Sequence, residues 1–319
     1  MSNSSKYLLS LLIAIAFSSC SESNTHTDPD STNPYIVVLG TVQDAGSPQI
    51  GCDKECCGHI DFEKTENRKV VCLGIVDPES DETWIIEASP DLTEQFSILN
   101  KIEGLPISQA PKGIFISHAH IGHYTGLMFL GRESMNASNI PVYCQPRLDT
   151  FLRSNGPWSQ LVKLKNIDLN PVNVDSTIVL NDRLSISLFT VPHRDEFSET
   201  SGFIITSDDK SLLFIPDIDK WAKWDRDILQ MIENSNYALL DATFYDGIEL
   251  PGRDMSEIPH PFVVESMDHF VNLDSTNKDK VHFIHLNHTN PLLRPESAES
   301  NNVLKSGYNI AQYLQKFKL

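Results

Sequence analysis

The chain has 319 residues, 40% of them apolar, enough to bury one large core. Its 43 acidic residues against 25 basic leave a formal charge of −18. Phosphate backbones are bound by clustered Lys and Arg, and no basic stripe interrupts this acidic composition, so it argues against a nucleic-acid partner and for a small-molecule substrate.

Residues 1–19 read as an export signal: Lys6 gives a positive start, Tyr7 to Phe17 is an apolar run too short for a spanning helix, and Ser18 and Ser19 precede Cys20. The segment resembles a bacterial lipoprotein signal, although Phe17 stands where such signals favour Leu. That resemblance implies lipidation at Cys20, attachment to a membrane through the lipid, and a periplasmic or cell-surface location. Residues 20–33 are polar with no apolar periodicity and read as a flexible tether, with His26 in it assigned no role. Residues 34–319 show neither a composition break nor a short-period repeat and are expected to form a single domain.

Within that domain, strands are predicted at Tyr35 (YIVVLGT), Val70 (VVCLGIVD), Thr83 (TWIIEAS), Gly113 (GIFIS), Ile140 (IPVYCQ) and Leu184 (LSISLFTV). Four more are predicted at Gly202 (GFIITSD), Ser211 (SLLFIPD), Tyr237 (YALLDATF) and Lys280 (KVHFIHL). Helical patterns cover Leu92–Leu99, Tyr124–Met135, Leu148–Arg153, Trp221–Glu233, Val263–Val271 and Ile310–Phe317. Short apolar runs alternating with turns and helical stretches define an α/β chain.

Gly113 to Leu127, GIFISHAHIGHYTGL, places three imidazoles within six residues after an apolar strand. Residues two apart in an extended segment point the same way, so His118 and His120 converge on one ion while His123, at the mouth of the next helix, faces a neighbouring position. Other strands also end in polar residues: His193 closes one, Asp217 another and His285 a third. Strand ends hold side chains rigidly around a shared edge, which a preorganised metal site needs. Neutral imidazole suits zinc, iron or manganese. In VHFIHLNH, strand alternation puts His282 on the face opposite His285, as a structural or surface histidine.

The order His-x-His, His, Asp, His resembles that of the metallo-β-lactamase superfamily over Tyr35–Leu319, and most nearly the branch of coenzyme pyrroloquinoline quinone synthesis protein B and phosphoribosyl cyclic phosphodiesterase. The resemblance implies a four-layer αββα sandwich. It also implies a first metal on His118, His120 and His193, a bridging Asp217, and a second metal on His123 and His285. Asp219 is the alternative bridge. The superfamily motif HxHxDH departs here at Gly122, where a ligating Asp is missing, so the second site is expected to be weaker, empty, or completed by another residue or water.

In the resembled branch an N-terminal Cys cluster follows a GxPQxxC-like turn, and GSPQIGCDKECC matches that turn with the middle Cys displaced. Cys52, Cys56 and Cys57 with His288, or with His59 in its place, would form a closed structural zinc site. A disulfide is the alternative for an exported chain, but setting Cys20 aside leaves an odd number of thiols. Cys72 and Cys144 lie within strands as buried thiols. By similarity to ribonuclease Z, Asp241 in DATF and either Glu257 or His260 form a relay that protonates a leaving oxygen.

The expected activity is metal-dependent hydrolysis by a metal-bound hydroxide of an ester-like substrate: a phosphodiester, lactone or thioester. One or two zinc ions at the reactive site and one structural zinc are expected, with iron or manganese as alternatives. An iron-dependent oxidoreductase of the synthesis protein B type, or a non-catalytic metal-binding lipoprotein, are the rival readings.

Overall fold

A computed structural model describes residues 32–58, 60, 68–208 and 210–319. The signal segment, Cys20, His26, most of the tether and His59 lie outside the described residues. One sheet is built from β1 (Tyr35–Gly40), β2 (Cys72–Asp77), β3 (Glu82–Ile86), β4 (Gly113–Phe115), β5 (Ile140–Cys144) and β6 (Ile167–Pro171). The other contains β7 (Thr177–Val179), β8 (Ser185–Val191), β9 (Thr200–Thr206), β10 (Ser211–Ile215), β11 (Tyr237–Asp241), β12 (Val281–Ile284) and β13 (Asn309–Ile310). The last strand, β14 (Lys316–Lys318), returns to the first sheet beside β1. The strand orders are β14-β1-β2-β3-β4-β5-β6 and β13-β12-β11-β10-β9-β8-β7, each sheet mixing antiparallel and parallel pairs.

Alternation along the strands makes the layers. In β1, Val37 and Leu39 join Ile85, Ile114 and Ile116 under the helix Leu92–Ile102, while Ile36 and Val38 turn the other way. These inward residues meet Trp84, Phe115, Phe203 and Phe214 between the sheets. On the far side Leu213, Ala238, Leu240 and Phe283 pack beneath the helices Ile228–Glu233, Val263–His269 and Ala298–Lys305. A strand buried on both faces carries an unbroken apolar run, which is why β1 and β2 read as they do. The result is the expected αββα sandwich.

Several predicted helices differ. Ile310–Phe317 is not helical: β13 extends the second sheet, the chain turns, and β14 pairs with β1. Exposed Lys316 and Lys318 alternate with buried Phe317 and Leu319, a period of two that a short window mistakes for helix. Tyr124–Met135 is instead a turn of helix, Ile121–Tyr124, followed by a 3₁₀ segment, Thr125–Leu130. There Gly126 runs so close to the preceding loop that a Cβ would lie 2.1 Å from the Ser89 carbonyl oxygen. Trp221–Glu233 is interrupted because Asp227 accepts from the amides of Leu229 and Gln230, starting a new helix at Ile228. The strands β6 and β7 and the helices Trp158–Lys163, Ser275–Asp279 and Ala298–Lys305 are additional to the predicted elements. No helix among the described residues is long and apolar enough to cross a membrane.

Candidate metal centre

The site lies where strands of both sheets end. His118 and His120 follow β4, His193 follows β8, Asp217 follows β10 and His285 follows β12. His118 Nε2 and His120 Nδ1 are 2.8 Å apart, and the rings of His118 and His193 lie 5.3 Å centre to centre. Donor atoms of His118, His120 and His193 fall within 4.8 Å of one another. His123 and His285 form an adjoining group, and Asp217 stands between the two: Oδ1 is 3.5 Å from His193 Nε2, whereas Oδ2 is 3.1 Å from His123 Nε2 and 3.3 Å from His285 Nε2. Asp219 is drawn away, accepting from the Lys223 ammonium at 2.8 Å.

Two residues not singled out from the sequence complete this arrangement. Asp44, in the loop after β1, places Oδ1 3.0 Å from His123 Nε2. Glu87, fully buried at the end of β3, approaches His123 Nδ1 at 3.3 Å from the other side of the ring. Both follow apolar strands, the signal that revealed the histidines. Glu87 and His285 also hold backbone φ angles of +76° and +65°. For side-chain-bearing residues that left-handed region costs energy, and here both positions serve the site.

The electrostatics separate the two halves. Burial lowers the pKa of His118, His120 and His193, that of His193 to about 4, so their nitrogen lone pairs are free at neutral pH. Burial also opposes charge on His123, but Glu87, Asp217 and Asp44 override it and lift its pKa well above the imidazole range. His285 is likewise held at about 10, chiefly by Asp217 against the effect of burial. The carboxylate-rich half thus calls for positive charge.

A metal fits this donor set. His123 Nε2, His285 Nε2, both ring nitrogens of His193, Asp217 Oδ2 and Asp44 Oδ1 are buried without a hydrogen-bond partner. Leaving one such group unpaired costs about 1–3 kcal/mol. Of these, His123 Nε2, His285 Nε2, His193 Nε2, Asp217 Oδ2 and Asp44 Oδ1 converge, and a cation among them would satisfy them together. Imidazole with carboxylate suits a borderline divalent ion such as zinc.

Beside the cluster, Asp241 Oδ2 lies 2.7 Å from His260 Nδ1, and its other oxygen accepts from the Thr243 amide and hydroxyl. Burial opposes ionisation of Asp241, but His260 holds its pKa down at about 2. Glu257 lies in the short 3₁₀ segment Met255–Glu257, exposed, and does not take this place. His260 also faces a cleft of about 570 Å3 shared with Gln43, Asp44, Lys54, Arg194, Arg253 and Asn287.

The thiols gather between β1 and β2, on the stretch of chain that also carries Asp44. Cys52, Cys56, Cys57 and His288 offer donor atoms within 4.8 Å of one another, with Cys52 Sγ and Cys56 Sγ 3.8 Å apart. All the described cysteines are free thiols. His282 stays outside both groups, its ring edge-on to Phe317 at 4.8 Å.

Known proteins share this architecture. Residues 83–286 match the family described as Beta-lactamase superfamily domain. The coenzyme PQQ synthesis protein B of Ruegeria pomeroyi is 25% identical over 303 residues, covering 86% of this chain and 97% of its own. Its counterpart in Acinetobacter baumannii is 24% identical over 309 residues, with 87% and 97% covered. Zinc-bound PqqB from Methylobacterium extorquens superposes with a TM-score of 0.72 at 19% identity, over 89% of this chain and all (100%) of that one. A diphosphatase of the PhnP family gives 0.62 at 18% identity, over 90% and 97%. At such identities the superpositions speak for the fold alone, but the family match spans most of the domain, both sheets included: the chain belongs to the β-lactamase superfamily domain family, with the metallo-β-lactamase fold.

Proposed function

We propose that the protein is a metal-dependent hydrolase of an ester-like substrate, and that among such substrates an anionic phosphodiester suits it best. The observation that carries this reading is the pairing of two buried donor groups through one carboxylate, Asp217, directly beside the Asp241–His260 pair. A divalent cation there supplies Lewis acidity and a water nucleophilic at neutral pH.

The chain's own residues have separable tasks. Asp217 orients both groups, facing one with Oδ1 and the other with Oδ2. Asp241 occupies Nδ1 of His260 and fixes the ring, which leaves Nε2 to deliver a proton to the leaving oxygen as its bond to phosphorus breaks and a water oxygen takes its place. Lys54, Arg194 and Arg253 line the cleft of a strongly acidic chain, and they favour an anionic substrate over a neutral lactone or thioester. The resemblance drawn from the sequence implies a second reading, oxidation at iron held by the same histidines, which would consume dioxygen.

The test is hydrolysis of bis(4-nitrophenyl) phosphate, a lactone and a thioester by zinc-, manganese- and iron-loaded protein, with an oxygen electrode in parallel. Phosphodiester turnover abolished by His118→Ala is the expected result. Oxygen uptake by the iron form alone would support the second reading. Stoichiometric metal with no turnover of any substrate and no oxygen uptake would leave a binding protein.

A further inference from the structure

The carboxylate absent from the histidine motif has a substitute in space. A Cβ added at Gly122 would lie 2.3 Å from Asp44 Oδ1, 2.8 Å from Asp44 Cγ and 2.6 Å from Asp44 Cα. The last of these is backbone, so no rotamer of Asp44 relieves the clash. A side chain at 122 and Asp44 in its present position exclude one another.

Asp44 is also aimed. Its Oδ1 lies 3.0 Å from His123 Nε2 and 3.6 Å from His285 Nε2, and all three atoms are buried without a hydrogen-bond partner. The loop carrying it is stitched to the segment carrying His285. The Leu286 amide donates to Thr41 O at 2.8 Å, the Gln43 amide to Leu286 O at 2.9 Å, and Val42 bridges Val70 on its other side. Asp44 and His285 are therefore carried by two segments whose backbones are hydrogen-bonded to each other.

We propose that Asp44 is a ligand of the second divalent cation, together with His123, His285 and Asp217 Oδ2, and that Gly122 is the partner substitution that admits it. The assignment rests on the metal-dependent reading above. Two imidazoles and two carboxylates make four donors, the number zinc takes. A carboxylate delivered from the β1 loop also keeps the charge that an aspartate at 122 would bring, so the missing motif residue does not imply a single-metal centre.

The experiment is metal counting on full-length protein stripped and reloaded with Zn2+, by plasma mass spectrometry, with Co2+ loading read from its visible bands. Asp44→Ala and the closer-sized Asp44→Asn should each bind one equivalent fewer at limiting metal. Affinity for that equivalent should fall at least tenfold, on the order of what loss of even a ligand's hydrogen-bonding partner costs. Gly122→Ala, whose Cβ cannot coexist with Asp44 where it stands, should lose the same equivalent although Asp44 is still present. Unchanged circular dichroism and retention of the other equivalents show that the variants fold.

If both Asp44 variants keep the wild-type complement, Asp44 is no ligand and the hydrolase reading stands without it. If Gly122→Ala keeps the wild-type complement, the mutual exclusion of positions 44 and 122 is refuted. If wild type takes up only the equivalent that Cys52→Ser removes, both this assignment and the metal-dependent reading fall.

Discussion

Glu249 offers a pH-dependent test of the wall beside the site. Its carboxylate accepts from the Tyr245 amide at 2.6 Å and from the Thr289 hydroxyl, next to His288. Burial outweighs these bonds and raises its pKa from the ordinary 4.5 to about 7. The folded protein therefore holds a proton that the unfolded chain releases, so this group's contribution is fully present below about pH 4 and is lost as pH rises toward 7. At about 1.4 kcal/mol per pH unit the loss is about 3.5 kcal/mol, and partial solvent access reduces it to roughly 2 kcal/mol. Glu249→Gln is neutral at every pH; its oxygen keeps the Tyr245 amide and its N–H turns to the Thr289 hydroxyl, which must accept instead of donate, an exchange that weakens the pair by up to about 1 kcal/mol. The variant should thus be slightly less stable than wild type at pH 5 and about 1 kcal/mol more stable at pH 8. In a domain of this size that is a Tm difference of roughly 2–4 °C. Differential scanning fluorimetry at a series of pH values checks it. A difference in Tm that keeps one sign from pH 5 to pH 8 would refute the argument.

Cys52→Ser should remove one zinc equivalent, lower the Tm and leave the histidine-bound metal in place; unchanged zinc with a disulfide found by thiol titration would contradict the structural-zinc expectation. Asp241→Asn should lower kcat on a phosphodiester about 100-fold or more with metal content retained, because His260 loses the acceptor that fixes its ring; equal losses in wild-type and His260→Ala backgrounds would show that the pair does not act together. The proposed lipid anchor predicts a mature N-terminus beginning at a diacylated Cys20. Mass spectrometry finding Met1 or an unmodified Cys20 would dismiss it.

Much of the fold was readable because double burial writes itself into the strands. The runs at Tyr35, Val70 and Ser211 are apolar on both faces because their strands, in the two sheets, are buried on both sides. The C-terminal segment was misread because Ile310 to Phe317 is short, and the pairing that settles it comes from β12 and β1, far away in sequence. The histidines stood out because imidazoles closing apolar runs are conspicuous. Glu87 and Asp44 close similar runs, but a carboxylate at a strand end is ordinary and carries no mark of its partner.

From the sequence by itself came the α/β class, the kinship, and the residues that bring chemistry to the strand ends, all of them local patterns of burial and residue type. The distances at which these donors meet, and the residues that join them, were decided only by the tertiary structure. A metal site is a set of distances between segments remote in the chain: Asp217 turns one oxygen to each histidine group, His260 rather than Glu257 meets Asp241, and Asp44 reaches the space that Gly122 leaves open.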